Sequence, residues 1–213
     1  MAFSAFFLHR LTSARNMKTM AEDEGKISES ALAGKLLIAM PGLTGQPFSN
    51  AVVYICVHSS DGAMGLIINK PSATLQFTDL LEQMDIKSDA GLSQRPVYFG
   101  GPVENGRGFV LHENCFDSSV STMKLNDGFA ITTTYDILEE MASGGGPANA
   151  LVALGYAGWG PGQIESELAR NSWLTVEADS ALVFATSDEG KWKHALGKLG
   201  VEALALSAAG GRA

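Results

Sequence analysis

Val52-Val53-Tyr54-Ile55-Cys56-Val57-His58, Ser59-Ser60-Asp61-Gly62 and Ala63-Met64-Gly65-Leu66-Ile67-Ile68-Asn69 form the stretch that decides the fold. Two apolar runs rich in β-branched residues flank a short turn, and Gly62 suits a left-handed position there. A turn this short makes the two strands antiparallel. Both parities of each run are mostly apolar, so the hairpin is expected at the centre of a sheet, buried on both faces. Lys70-Pro71 ends it.

Working outward, Gly34 to Met40 reads as a strand stopped by Pro41-Gly42. Further strands are expected at Val97–Gly100, Gly108–His112, Phe129–Thr132, Ala150–Leu154 and Trp173–Val176, with Asn114–Asn126 irregular. Helices are expected from the N-cap Thr78 through Met84, at Tyr135–Met141, at Pro161–Arg170 and, capped by Asp188, at Glu189–Leu199. The triplet Gly144-Gly145-Gly146 follows a helix and lacks a Gly-Lys-Ser/Thr ending, so it reads as a helix C-cap rather than a phosphate loop. Strands dominate the first half and helices are scattered later. The fold class is therefore α+β, with a mixed or antiparallel, barrel-like sheet rather than a doubly wound parallel one.

The chain has 213 residues, 46% hydrophobic and 18% charged, an ordinary globular composition. Fifteen Lys and Arg against 23 Asp and Glu give a net charge of −8, which weighs against direct nucleic-acid binding. No apolar run approaches the roughly 20 residues of a membrane span. Two cysteines, Cys56 and Cys115, fit a reducing compartment, so a cytoplasmic protein is expected. Residues 1–30 read as a mobile tail with alternative starts at Met17 and Met20, residues 31–206 as one domain, and 207–213 as a frayed end.

The chemistry concentrates in Gly155-Tyr156-Ala157-Gly158-Trp159-Gly160-Pro161-Gly162-Gln163-Ile164-Glu165-Ser166-Glu167. It reads as a glycine-rich turn with an exposed tryptophan, followed by a helix with Gly160 at N-cap and Pro161 at N1. Gln163 and Glu167 share one stripe of that helix, while Ile164 and Leu168 form its buried stripe. The expected binding set is Gly158, Trp159, Gln163 and Glu167, with Asn69, Gly100, Gly101 and His112 converging on it. The competing structural readings make Gln163 a cap, Asn69 a loop bridge and the Gly100-Gly101-Pro102 turn plain geometry.

His58 stands two residues after Cys56, hence on the same strand face, and His112 three before Cys115. Neither spacing is that of a zinc site, so no metal and no cofactor is expected. The sequence contains no GxSxG, HExxH, Walker loop or dinucleotide fingerprint.

Leu36–Pro41 (LLIAMP), His58–Pro71 (HSSDGAMGLIINKP), Gly100–Val103 (GGPV), Gly108–His112 (GFVLH), Gly155–Glu167 (GYAGWGPGQIESE) and Asn171–Leu174 (NSWL) resemble, in order, the motifs of the bacterial YqgE/AlgH family. The loop departs from the family pattern at Thr44-Gly45 and Ser49-Asn50, where an acid and a base are usual. The resemblance implies a small closed or bifurcated β-barrel surrounded by helices. The family carries little on activity, one branch being labelled a transcriptional regulator.

Two readings of function follow. The first is a non-enzymatic binding or regulatory protein with a small-molecule or protein partner. The second is an enzyme on a small anionic metabolite, with His112 or His58 as general acid/base.

Overall fold

The computed structural model describes residues 32–43, 45, 47–87, 95–116, 121–125 and 128–201; the 1–30 tail and the frayed C-terminus lie outside them. The hairpin becomes β2 (Val52–Ser59) and β3 (Gly62–Ile67), both with buried interiors. β1 (Lys35–Ala39) flanks it on one side and β9 (Ala150–Trp159) on the other, and β10 (Trp173–Glu177) lies outside β1. Beyond β9 come β6 (Val103–Glu113), β8 (Phe129–Thr132) and β7 (Thr122–Lys124). β4 (Pro71–Gln76) pairs with β5 (Pro96–Phe99), and β5 joins β9 in parallel while the other pairings are antiparallel.

The sheet forks at β9. Its last residues, Ala157 to Trp159, pair with β3, whereas Val152 to Leu154 pair with β5 on the same side. At the fork, Ile67 N–H donates to Gly100 O at 2.9 Å and Gly100 N–H donates to Leu154 O at 2.8 Å. A Cβ on Gly101 would sit 2.1 Å from the carbonyl carbon of Tyr156, and one on Gly155 would sit 2.5 Å from Gly101 O. Two backbones approach so closely here that only glycine fits. The expected α+β fold with a bifurcated sheet is observed, curled as a half-barrel.

Four α-helices among the described residues cover it: α1 (Phe77–Gln83), α2 (Tyr135–Ala142), α3 (Gln163–Ala169) and α4 (Asp188–Lys198). The inner face packs Tyr54, Leu66, Phe109, Ile131 and Val176 against the π-helical turn Ala181–Ala185 and Leu196 of α4. Outside, α3 covers Val53, Ile67, Trp159 and Trp173, while α1 and α2 cover Val97, Val110 and Val152. Lys191 of α4 is fully buried; its Nζ donates to Ile68 O and to Asp188 Oδ1, both at 2.8 Å, so the charge is paired as burial demands.

Several boundaries differ from the sequence reading. β9 does not stop at Leu154 but runs to Trp159, because Gly155 (φ +71°) accommodates a bulge rather than a turn. β6 likewise runs through Glu104–Arg107, four residues opposing the single Gly155 of β9. β4 and β7 were not anticipated: β4 is mostly exposed, and its partner lies beyond the helix that follows. α1 starts at Phe77, one residue before the expected cap, with Gln76 N–H donating to Asp79 Oδ2 at 2.8 Å. α4 starts at Asp188 itself, after Ser187.

Candidate functional site

α3 begins at Gln163 behind a left-handed Gly162 (φ +70°), so Pro161 precedes the helix instead of opening it. Gln163 still reaches back, its Oε1 accepting Gly160 N–H at 3.1 Å, which is the capping role weighed against ligand binding. Its Nε2 donates to Glu167 Oε1 at 2.9 Å. Trp159 and Trp173 donate their indole N–H groups to Glu167 Oε2 at 3.0 and 2.8 Å. The indole rings meet edge to face with centroids 6.2 Å apart, and Phe48 meets Trp173 the same way at 5.7 Å.

Trp159, Gln163 and Glu167 therefore come together, in a knot whose indole is buried, whose glutamate is half-buried and whose glutamine lies exposed on the helix surface. Trp159 is 7% exposed, which corrects its reading as an exposed aromatic. Strand pairing with Ala63 and the cover of α3 remove it from solvent. Both carboxylate oxygens of Glu167 are occupied by side chains of the protein.

The remaining expected residues do not converge there. Gly158 is exposed, but in the strand it faces away from Trp159. Gly100 and Gly101 are buried in the fork. Asn69 is buried, with Val52 N–H donating to its Oδ1 at 2.8 Å and its own Nδ2 donating to Asn50 O at 2.9 Å. It staples the start of β2. His112 pairs with Ala150 at the opposite end of β9 from Trp159, about 30 Å away at the usual strand rise. Its side chain is fully buried, with Nδ1 against Glu113 O at 2.7 Å and Nε2 against Thr132 Oγ1 at 2.9 Å. Burial holds its pKa below the ordinary histidine value, with the Glu113 carbonyl opposing. With the ring sealed from solvent and both nitrogens bonded within the protein, His112 presents neither nitrogen to a substrate. The enzyme reading loses this candidate.

His58 is different. The register of β2 on β3 shifts between Ile55 and Val57, a bulge that leaves Cys56 on the inner face and aims His58 outward at α3. The shared face expected for these two residues is thereby undone. His58 Nε2 lies 2.7 Å from Glu165 Oε1, with the histidine side chain 12% exposed and the glutamate 51%. A hydrogen bond to its own backbone N–H at the helix start, then His58, hold the Glu165 carboxyl below the usual range, so Nε2 carries the shared hydrogen. Nδ1 is sealed from solvent with no hydrogen-bond partner among the described residues.

Glu165 and Trp173 were missed as site residues. Glu165 could not be matched to His58 without the bulge. Trp173 carried a signal, since an indole near a helix glutamate needs an acceptor when buried.

No three His, Cys, Asp or Glu side chains among the described residues gather where a metal could be held. The cleft between α1 and α2, walled by Leu80, Met84, Tyr135 and Leu138, offers about 20 Å³, little more than a water needs. It lies away from the Trp159 knot. No helix among the described residues is long and apolar enough to cross a membrane.

Fold and site define a forked half-barrel α+β protein whose outer helix is locked to the sheet by a carboxylate shared between two tryptophans. Its sequence matches the family model described as AlgH-like over residues 36–204, and the chain belongs to that family, the YqgE/AlgH proteins. A UPF0301 protein of Ruegeria pomeroyi is 52% identical over 183 residues, covering 85% of this chain and 99% of the relative. One from Paracoccus denitrificans is 49% identical over 186 residues, covering 86% and 98%. The solution structure of the AlgH protein from Pseudomonas aeruginosa superposes with a TM-score of 0.71 at 40% identity, covering 88% of this chain and 99% of that one. Protein DIP2367 of Corynebacterium diphtheriae shares the fold at TM-score 0.63 and 19% identity, over 78% and 86% of the two chains.

Proposed function

We propose that this is a cytoplasmic binding or regulatory protein that acts on a protein partner rather than on a small substrate. One observation carries the reading: neither candidate histidine offers a solvent-reached free nitrogen. His112 has both nitrogens bonded, and His58 has one on Glu165 and the other sealed. General acid/base work needs such a nitrogen within reach of substrate.

What the site region does expose is the tip of the β2–β3 hairpin, Ser59 to Asp61, beside Gly160, Pro161 and Gly162. Gly62 holds these two loops together, a Cβ there falling 2.2 Å from Trp159 O. A rigid backbone ledge of this kind fits a partner surface better than a metabolite. An influence on transcription, under this reading, passes through that partner, in keeping with the net charge of −8.

The test is affinity capture from the host cytoplasm with wild type and with a Ser60→Arg, Pro161→Arg double variant, both checked for an unchanged melting point. Loss of one discrete captured protein in the variant supports the reading. An identical captured set, or turnover of a metabolite by the wild type, overturns it.

A further inference from the structure

We propose that residues 1–20 of this chain fold back and dock along the cleft between α1 and α2, an interaction separate from the ledge described above. The cleft is apolar: Leu80 and Met84 stand on one wall, Leu138 on the other, and Val110 on the floor. A Cβ on Gly108 would meet only Leu154, at 4.0 Å, so the floor stays open there. Counted to its open mouth the cleft spans about 400 Å³, which suits apolar side chains laid across it better than an enclosed metabolite.

Both helices that wall it are acidic. α1 carries Asp79 and Glu82, α2 carries Asp136, Glu139 and Glu140, and neither helix has a cation. Asp79 accepts the Gln76 N–H and Asp136 accepts from Thr134, but Glu82, Glu139 and Glu140 are exposed. These three form no ion pair among the described residues. An apolar groove between acidic rims fits a segment that joins apolar side chains to positive charge.

Among the longer segments outside the described residues, one joins both. Residues 1–20 space Phe3, Phe7 and Leu11 four apart, add Phe6 and Leu8, and carry Arg10, Arg15 and Lys18 with no acid. The others do not fit: 21–30 is acidic, 88–94 has Asp89 and no base, and 202–213 sets Glu202 against Arg212. The reach also suffices. Gly34 N–H donates to Ile55 O, Ile55 registers with Gly65, and Gly65 with Ala157. Val152, beside Val110, lies further along β9 on the same outer face. At usual strand dimensions it is within about 25 Å of the start of β1. The stretch between residues 20 and 32 extends to about 40 Å.

Methyl NMR of the full chain, spin-labelled through Ser4→Cys in a Cys115→Ser background, tests this without any partner, so its outcome is independent of the binding reading. Cys56 is buried and stays unlabelled. The methyl signals of Leu80, Met84 and Leu138 should lose intensity, while those of Ile164 under α3 and Leu196 of α4 hold. The loss should not change with protein concentration. It should vanish in a Phe3→Ser, Phe7→Ser variant and weaken in Glu82→Lys, Glu139→Lys, both with unchanged melting points. Full intensity at the cleft, a loss spread evenly over the surface, or a loss that survives both double variants would each overturn the docking. A loss that grows with concentration would assign the contact to a second copy and overturn it as well.

Discussion

Trp159 and Trp173 donate their indole N–H groups to the same oxygen of Glu167, at 3.0 and 2.8 Å. One tryptophan ends β9 and the other begins β10, so a single carboxylate on α3 ties together two strands that are not neighbours in the sheet. Glu167→Ala would leave two largely buried donors unanswered. It is expected to lower stability by about 2–4 kcal/mol, and Glu167→Gln, which keeps one acceptor, by about half as much. Guanidinium unfolding followed by tryptophan fluorescence measures both; a Glu167→Ala loss under about 0.5 kcal/mol would make the knot ornamental.

The glycines of the fork should separate sharply from the glycine before α3. Gly101→Ala places a methyl 2.1 Å from the Tyr156 carbonyl carbon at φ +154°, and Gly155→Ala meets Gly101 O at 2.5 Å at φ +71°. Both should lose more than about 4 kcal/mol or fail to fold. Gly162→Ala meets nothing and is expected to cost only the about 1–2 kcal/mol of a left-handed alanine. Melting temperatures of the three variants give the ranking.

His112 makes stability depend on pH. Its folded pKa is depressed by burial, so the unfolded chain takes up the proton first as pH falls. The sign follows: stability is unaffected well above the unfolded value of about 6.5 and declines below it, by at most about 1.4 kcal/mol per pH unit, until the folded group also titrates. Urea midpoints for wild type and His112→Gln between pH 8 and 5 should converge as pH falls, since the variant lacks this loss. A wild-type midpoint that rises on acidification would contradict the assignment.

The two cysteines should react differently. Both are free; Cys56 is buried, and burial pushes its thiol up to about 12, opposed by a hydrogen bond from the Leu66 backbone, while Cys115 is exposed. A thiol reagent at pH 8 is expected to titrate one group per native chain and two in denaturant. Two rapid equivalents without denaturant would place Cys56 within reach of solvent.

The sequence by itself determined the central hairpin, the antiparallel start of the sheet and the places of the four helices. Those features depend on local apolar runs, caps and breakers, which are legible in residues a few positions apart. It also brought Trp159, Gln163 and Glu167 to one place, because a helix puts positions 163 and 167 on one stripe beside the strand end. What only the tertiary structure decided was the direction each of these groups faces. Trp159 is buried because β3 and α3 lie over it, and neither neighbour can be read from the residues around position 159. The glycines at 100, 101 and 155 look like a recognition loop in one dimension; in three they are the two sides of one backbone contact. The bulge between Ile55 and Val57 turns His58 away from Cys56 and onto Glu165, 107 residues further along the chain. A register shift arises from how two strands settle against each other, so alternation along one strand carries no mark of it.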